Sequence, residues 1–219
     1  YKLGINKFSD ITNEEFRQKI NSQYIPEVDN MEYDYQEDMT TTGFLPQQTN
    51  INWLSYMNPA SDQGICGSCW AFSAIGALEG NYNINFKQKY QFSQQQLVDC
   101  DTANKGCLGG NPKTALYSIA KNGISYFSEY SYTGLQSATC NTSSMSNYMV
   151  EGVISCNPGS CSRSGILQLL ANGPVSTTMD AGSMEFQSYA SGILKNITCT
   201  SRNHAVLLVG YYKDDTNEY

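Results

Sequence analysis

The sequence predicts an α+β fold in two lobes. Three observations carry that reading. Capped helical segments fill the earlier part of the chain, apolar runs rich in β-branched and aromatic residues fill the later part, and no internal repeat links the two textures. With 219 residues, 40% of them hydrophobic and 15% charged, the chain is long enough to bury one large core or two smaller ones.

The elements follow in order. Residues 1–20 read as a strand-like start and then a helix opened by Thr12-Asn13-Glu14-Glu15, where Thr12 and Glu15 satisfy each other's backbone amides. Glu27, Asp29, Glu32, Asp34, Glu37 and Asp38 follow with no Lys or Arg among them, a composition that favours an extended linker. Residues 69–78 read as a helix with Ala71, Phe72, Ala74, Ile75 and Leu78 on one side. Ser93-Gln94-Gln95-Gln96 is a second capping box, opening a short helix through Val98. Asn111 caps a further helix with Pro112 at its first position, and Asn122-Gly123 closes it. Residues 165–171 make one more, stopped by Gly173-Pro174. Strands are expected at 175–179 and 205–212.

Charge and cysteine content narrow the function classes. A net charge of −7 argues against a nucleic-acid partner, because neutralising phosphates needs clustered Lys and Arg. No apolar run is long enough to span a membrane. Eight cysteines point to an oxidising compartment, and the sequons at Asn141-Thr142-Ser143 and Asn196-Ile197-Thr198 point the same way.

The chemistry lies in Asp62-Gln63-Gly64-Ile65-Cys66-Gly67-Ser68-Cys69-Trp70-Ala71-Phe72-Ser73. This stretch puts the Cys69 thiol at the first turn of an apolar helix, where the positive end of the helix dipole favours a thiolate. The Gln63 amide upstream is a candidate oxyanion donor. His204 is the chain's only histidine, and brought beside Cys69 it would serve as ion-pair partner and proton carrier. Cys66-x-x-Cys69 also fits a redox or zinc site. No βαβ setting precedes it, however, and Cys156 and Cys161 are spaced more widely than a second zinc pair. No metal or cofactor is expected.

Cys66-Gly67-Ser68-Cys69-Trp70, with a histidine far downstream, resembles the signature of papain-family, cathepsin L-like cysteine proteases. Gly4-Ile5-Asn6-Lys7-Phe8-Ser9-Asp10, followed by Glu14-Glu15-Phe16, resembles the pro-segment motif of the same family. The resemblance implies a papain-like two-lobe fold, with a helical left lobe and a β-barrel-like right lobe. It divides the chain into a pro-segment and acidic linker (1–44), a helical lobe carrying the nucleophile (45–155), and an incomplete β-rich lobe carrying the histidine (156–219). Cleavage of the zymogen would fall near residues 40–48, and Asn52-Trp53-Leu54 departs from the family's Asp-Trp-Arg.

It also assigns roles. Cys69, His204 and Gln63 would be catalytic, and Gly67, Gly109, Gly110, Asn111, Pro112, Thr178, Asn203 and Ala205 would bind substrate. Cys66–Cys107 and Cys100–Cys140 would be disulfides, with Cys156–Cys161 as a local pair outside the family pattern. Cys199 matches a family cysteine whose partner lies further towards the C-terminus. The family's Asn-Ser-Trp-Gly segment, which orients the histidine, would begin just past Tyr219. The expectation is therefore a zymogen fragment cut at both ends and inactive by itself. Its parent would be a monomeric endopeptidase of a lysosome, vacuole or extracellular space, acting on peptides or proteins and inhibited by its own pro-segment. The competing expectation is a non-catalytic homologue serving as an inhibitor or interaction module.

Overall fold

The computed structural model describes residues 1–20, 23–24, 36–38, 50–141, 148–150, 152–156 and 161–219, with the backbone alone at 23–24 and 36–38. The expected cleavage region, most of the acidic run and the Thr142-Ser143 part of the first sequon lie outside the described residues.

The N-terminal segment contributes β1 (Lys2–Leu3), α1 (Asn13–Ile20), β2 (Gln23–Tyr24) and β3 (Gln36–Asp38). The predicted capping box forms at α1. The Thr12 N–H donates to Glu15 Oε2 at 2.7 Å, and the Glu15 N–H donates to Thr12 Oγ1 at 3.2 Å. Phe16 is buried edge-on against Phe8, their ring centroids 5.0 Å apart. The acidic stretch is extended where it is described, and β3 is also paired.

The remaining strands and α-helices are β4 (Asn50–Asn52), α2 (Cys69–Phe86), α3 (Gln94–Cys100), β5 (Gly109–Gly110), α4 (Pro112–Asn122), β6 (Val153–Ser155), α5 (Arg163–Asn172), β7 (Val175–Met179), α6 (Met184–Gln187), β8 (Tyr189–Ser191), β9 (His204–Leu208) and β10 (Gly210–Tyr212), with short 3-10 turns at Leu54–Tyr56 and Gly106–Leu108. The described strands pair two by two. β1 with β8, β4 with β10 and β7 with β9 are antiparallel, while β2 with β5 and β3 with β6 are parallel. β4 falls in the first of the two lobes drawn from sequence, yet it hydrogen-bonds to β10 of the second.

α2 is the axis of the molecule, packing against α3, α4, β7 and β9. Trp70, Ala71, Ala74, Ile75 and Leu78 form one cluster with Phe92, Leu97, Val98, Ala115, Ile119 and Ile124. Each large apolar side chain buried there stabilises the fold by about 2 kcal/mol. The helix runs eight residues beyond the predicted Leu78. Periodicity fails there because the inward positions are polar and bonded. Glu79, 8% exposed, accepts the Phe92 N–H at 2.8 Å and the Asn58 side-chain amide at 2.7 Å. Asn83 accepts the Tyr90 N–H and donates to the Tyr56 carbonyl, both at 2.7 Å. Burial of Glu79 holds its carboxyl pKa above the ordinary value against those two hydrogen bonds.

The apolar run predicted as one strand at 205–212 divides at Val209. Its carbonyl accepts the Trp53 N–H at 2.9 Å, so β9 pairs with β7 while β10 turns to β4. α5 begins at Arg163, two residues earlier than the apolar pattern suggests, capped by Ser162, whose Oγ accepts the Gly165 N–H at 3.2 Å. Disulfides join Cys100 to Cys140 and Cys156 to Cys161. Among the described residues no helix is long and apolar enough to cross a membrane.

The closest packing along α2 occurs at Gly80, where an added Cβ would lie 2.6 Å from both Met57 Cε and Pro174 Cγ. Gly80→Val is expected to cost about 2 kcal/mol through overpacking. In a thermal melt that appears as a Tm lower by roughly 5 °C. An unchanged Tm would contradict this packing.

Candidate active site

Cys69 owes its position to the turn before α2. The Cys66–Cys107 disulfide brings these two Cα atoms to 4.6 Å, and the Gly67 N–H donates to the Cys107 carbonyl at 2.9 Å. The Tyr132 hydroxyl donates to the Gln63 carbonyl at 2.7 Å and lies 2.6 Å from Ser68 Oγ. The Ser68 hydroxyl is thereby turned away from the helix end, which it does not cap. The first-turn N–H groups of an α-helix have no intrahelical partner, and together they favour negative charge. Cys69 is the first residue of α2, outside the three disulfides and 2% exposed. Its sulfur therefore lies at the electropositive end of an 18-residue helix.

His204 begins β9, and the neighbouring Ala205 N–H donates to Cys69 Sγ at 3.3 Å. The two predicted catalytic residues thus come from distant parts of the chain to one seam. Further along that seam, Ser73 Oγ donates to the Val206 carbonyl at 2.7 Å and lies 2.6 Å from Ser176 Oγ on β7. One turn on, Gly76 faces Leu207 closely: an added Cβ would lie 3.0 Å from the end of the Leu207 side chain. Burial pushes the imidazole pKa of His204 below its ordinary value, and a hydrogen bond to the Ile20 backbone partly opposes that. His204 Nδ1 is buried with no hydrogen-bond partner among the described residues.

The other predicted residues surround these two. Gln63 is half-buried, and its side-chain amide donates to the Cys66 carbonyl at 2.9 Å, on the turn that leads into Cys69. Thr178 and Ala205 face each other across the β7–β9 ladder, one step from the Met179–His204 pair. Asn203, next to His204, is bound internally: its amide donates to Asp180 and its oxygen accepts the Ala181 N–H. Gly109 and Gly110 form β5, where an added Cβ on Gly110 would lie 2.5 Å from Asn104 Oδ1 and 2.6 Å from Trp70. Asn111 is buried, its side-chain oxygen capping α4 at the Lys113 N–H ahead of Pro112. Among the described residues no three His, Cys, Asp or Glu side chains converge to hold a metal ion.

The N-terminal segment covers this site. Ile20 reaches His204, and Gln23–Tyr24 pairs in parallel with Gly109–Gly110. Sequence reading did not single out Gln187, which carries much of the docking and is only 7% exposed. Its side-chain amide donates to the carbonyls of Phe8 and Ile11 at 3.1 and 3.0 Å. Its oxygen accepts from Asn13 at 2.9 Å, and its backbone carbonyl accepts from Asn6 at 2.7 Å. Arg17 adds a 2.7 Å bond to the Gly182 carbonyl, and Lys7 an exposed ion pair with Asp62.

Known proteins are similar to this chain in sequence and fold. Residues 45–219 match the family model described as papain family cysteine protease. Caricain of Carica papaya is 36% identical over 100% of this chain and 63% of its own length. Cysteine proteinase 3 of Entamoeba histolytica is also 36% identical, over 98% of this chain and 68% of its own. The digestive procathepsin L 3 structure from the Tenebrio molitor larval midgut superposes with a TM-score of 0.84 at 30% identity, covering 100% of this chain and 70% of that one. The chain spans 63% of the length of caricain and 61% of that of papain. With residues 45–219 matched by that family model and a relative 36% identical along the whole chain, the chain belongs to the papain family of cysteine proteases.

Proposed function

We propose that the protein is a cysteine endopeptidase made as a zymogen and hydrolysing peptide bonds through a thioester. The observation that supports this reading is the 3.3 Å hydrogen bond from the Ala205 N–H to Cys69 Sγ, at the residue next to His204 and at a helix N-terminus. In the reaction, the Cys69 thiolate attacks the scissile carbonyl and the imidazolium of His204 gives its proton to the leaving amine. Water then adds to the thioester, its proton taken by His204, and the carboxylic acid leaves as Cys69 is regenerated. The oxyanion of each tetrahedral intermediate is met by the Cys69 backbone N–H and the Gln63 amide, of which one N–H goes to Cys66 and the other remains for substrate. Each donor contributes about 3 kcal/mol to the barrier reduction.

An extended peptide pairs with the backbone of Gly110, the place now held by Gln23–Tyr24, and Asn111, Pro112, Thr178 and Ala205 border its side chains. While residues 1–24 are docked, substrate has no access, and the chain in this state is inactive. The protein acts as a monomer on peptide or protein substrates after the segment leaves. Three disulfides support folding in an oxidising compartment on a route to a lysosome, vacuole or the cell exterior.

Two outcomes follow for the full-length protein with its N-terminal segment removed. Cys69→Ala is expected to abolish turnover of a fluorogenic peptide and labelling by a thiol-directed epoxide. Gln63→Ala is expected to lower kcat about a hundredfold with KM little changed. Full activity of Cys69→Ala would refute the mechanism.

Acid is expected to release the segment, and the sign follows from His204. Burial depresses its pKa while the segment covers it and outweighs the opposing hydrogen bond to Ile20, so the solvent regained on release favours the charged form. Docking is therefore strongest above the ordinary imidazole range and weakens as pH falls through about 6.5. In a Cys69→Ala background, proteolytic release of residues 1–44 is expected to accelerate from about pH 7 to about pH 5. His204→Gln is expected to flatten that dependence, and identical profiles would contradict the assignment.

A further inference from the structure

We propose that Asp180 is the positioning residue for His204: its carboxylate fixes Asn203 and the preceding turn, and so sets where β9 begins. The inference rests on the peptidase reading above.

Asp180 directly follows β7, and Asn203 directly precedes His204 on the paired strand. The carboxylate gathers donors from both segments. Oδ2 accepts the Thr200 N–H at 2.7 Å, the Thr200 hydroxyl at 3.1 Å and the Ser201 N–H at 3.1 Å. Oδ1 accepts the Gly182 N–H at 3.0 Å and the Asn203 amide at 2.8 Å. Asn203 is held at two more atoms, since its side-chain oxygen accepts the Ala181 N–H at 2.9 Å and its own N–H donates to the Met179 carbonyl at 3.0 Å. The residue before the histidine is thus pinned to the end of β7 at three points, and Asp180 completes the pinning.

The acid form would not serve. Both oxygens accept from N–H groups, so either orientation of a neutral amide would set an NH2 against donors. Backbone hydrogen bonds from Thr200 and Gly182 hold the Asp180 pKa far below the usual carboxylate range, so the anion persists at acidic working pH. The pro-segment grips the same turn, since Arg17 Nε donates to the Gly182 carbonyl at 2.7 Å. Catalytic positioning and pro-segment docking therefore share one element. An imidazole set even slightly out of line with its thiol costs catalysis steeply, because proton transfer depends on alignment.

The test compares full-length wild-type protein with Asp180→Asn and Asn203→Ala after removal of the N-terminal segment. Asn203→Ala cuts the link to β9 while leaving Asp180 bonded to Thr200, Ser201 and Gly182, and so covers the case in which Asp180→Asn fails to fold. Active sites are counted with an irreversible thiol-directed epoxide, and kcat and KM are measured on a fluorogenic peptide. Alkylation of Cys69 by a neutral haloacetamide reports the ion pair. Both variants are expected to lose about tenfold or more in kcat per titrated site, with KM within about twofold, and to alkylate about tenfold more slowly. Wild-type kcat per titrated site in Asn203→Ala would overturn the proposal. A wild-type protein with no turnover and no titratable thiol would instead overturn the peptidase reading.

Discussion

The structure depends on the contact between one helix and one strand. α2 meets β9 along Cys69, Ser73 and Gly76, which face Ala205, Val206 and Leu207. Only small or polar side chains on that face of the helix allow so close an approach. The hydroxyl of Ser73 donates to the Val206 carbonyl across that seam at 2.7 Å, a bond that contributes about 1 kcal/mol. Cys69 and His204, far apart in sequence, reach neighbouring points of one seam because these two backbones meet. The Cys66–Cys107 bridge and the Tyr132 hydroxyl hold the opposite side of the nucleophile in place.

The N-terminal segment lies over the same seam. Ile20 approaches the histidine, and Gln23–Tyr24 takes the hydrogen-bonding edge of Gly109–Gly110 in parallel register. Anchorage lies elsewhere, in the polar socket around Gln187 and in the bond from Arg17 to the Gly182 carbonyl. Coverage and anchorage are thus separate. A change in the charge of His204 acts on the covering contact while the anchor at Gln187 is uncharged.

Much of this was legible in the sequence. The α+β class, the capping boxes at Thr12 and Ser93, the Asn111-Pro112 helix start and the Cys69 signature all rest on local chemistry that neighbours in sequence decide. The C-terminal half of α2 was not legible, because Glu79 and Asn83 are buried polar residues bonded by loops distant in sequence, and they erase the apolar period. The break at Val209 depends on a partner, Trp53, from the other end of the body. Gln187 and Asp180 look like ordinary polar residues in the chain. Their weight comes from donors and acceptors gathered from several segments, which no spacing rule registers. The papain-family resemblance located Gly110, Thr178 and Ala205, and the β7–β9 register sets the last two opposite one another beside the histidine.

The central claim is that the α2–β9 seam makes Cys69 and His204 a thiolate–imidazolium pair once the segment has left. The most direct measurement is the pH dependence of Cys69 alkylation by a neutral haloacetamide, in full-length protein freed of residues 1–44. The account predicts two inflections, with reactivity already high well below the pKa of a simple thiol, because the imidazolium holds the thiolate. A single rise centred near about 8.5, the behaviour of an isolated cysteine, would contradict it.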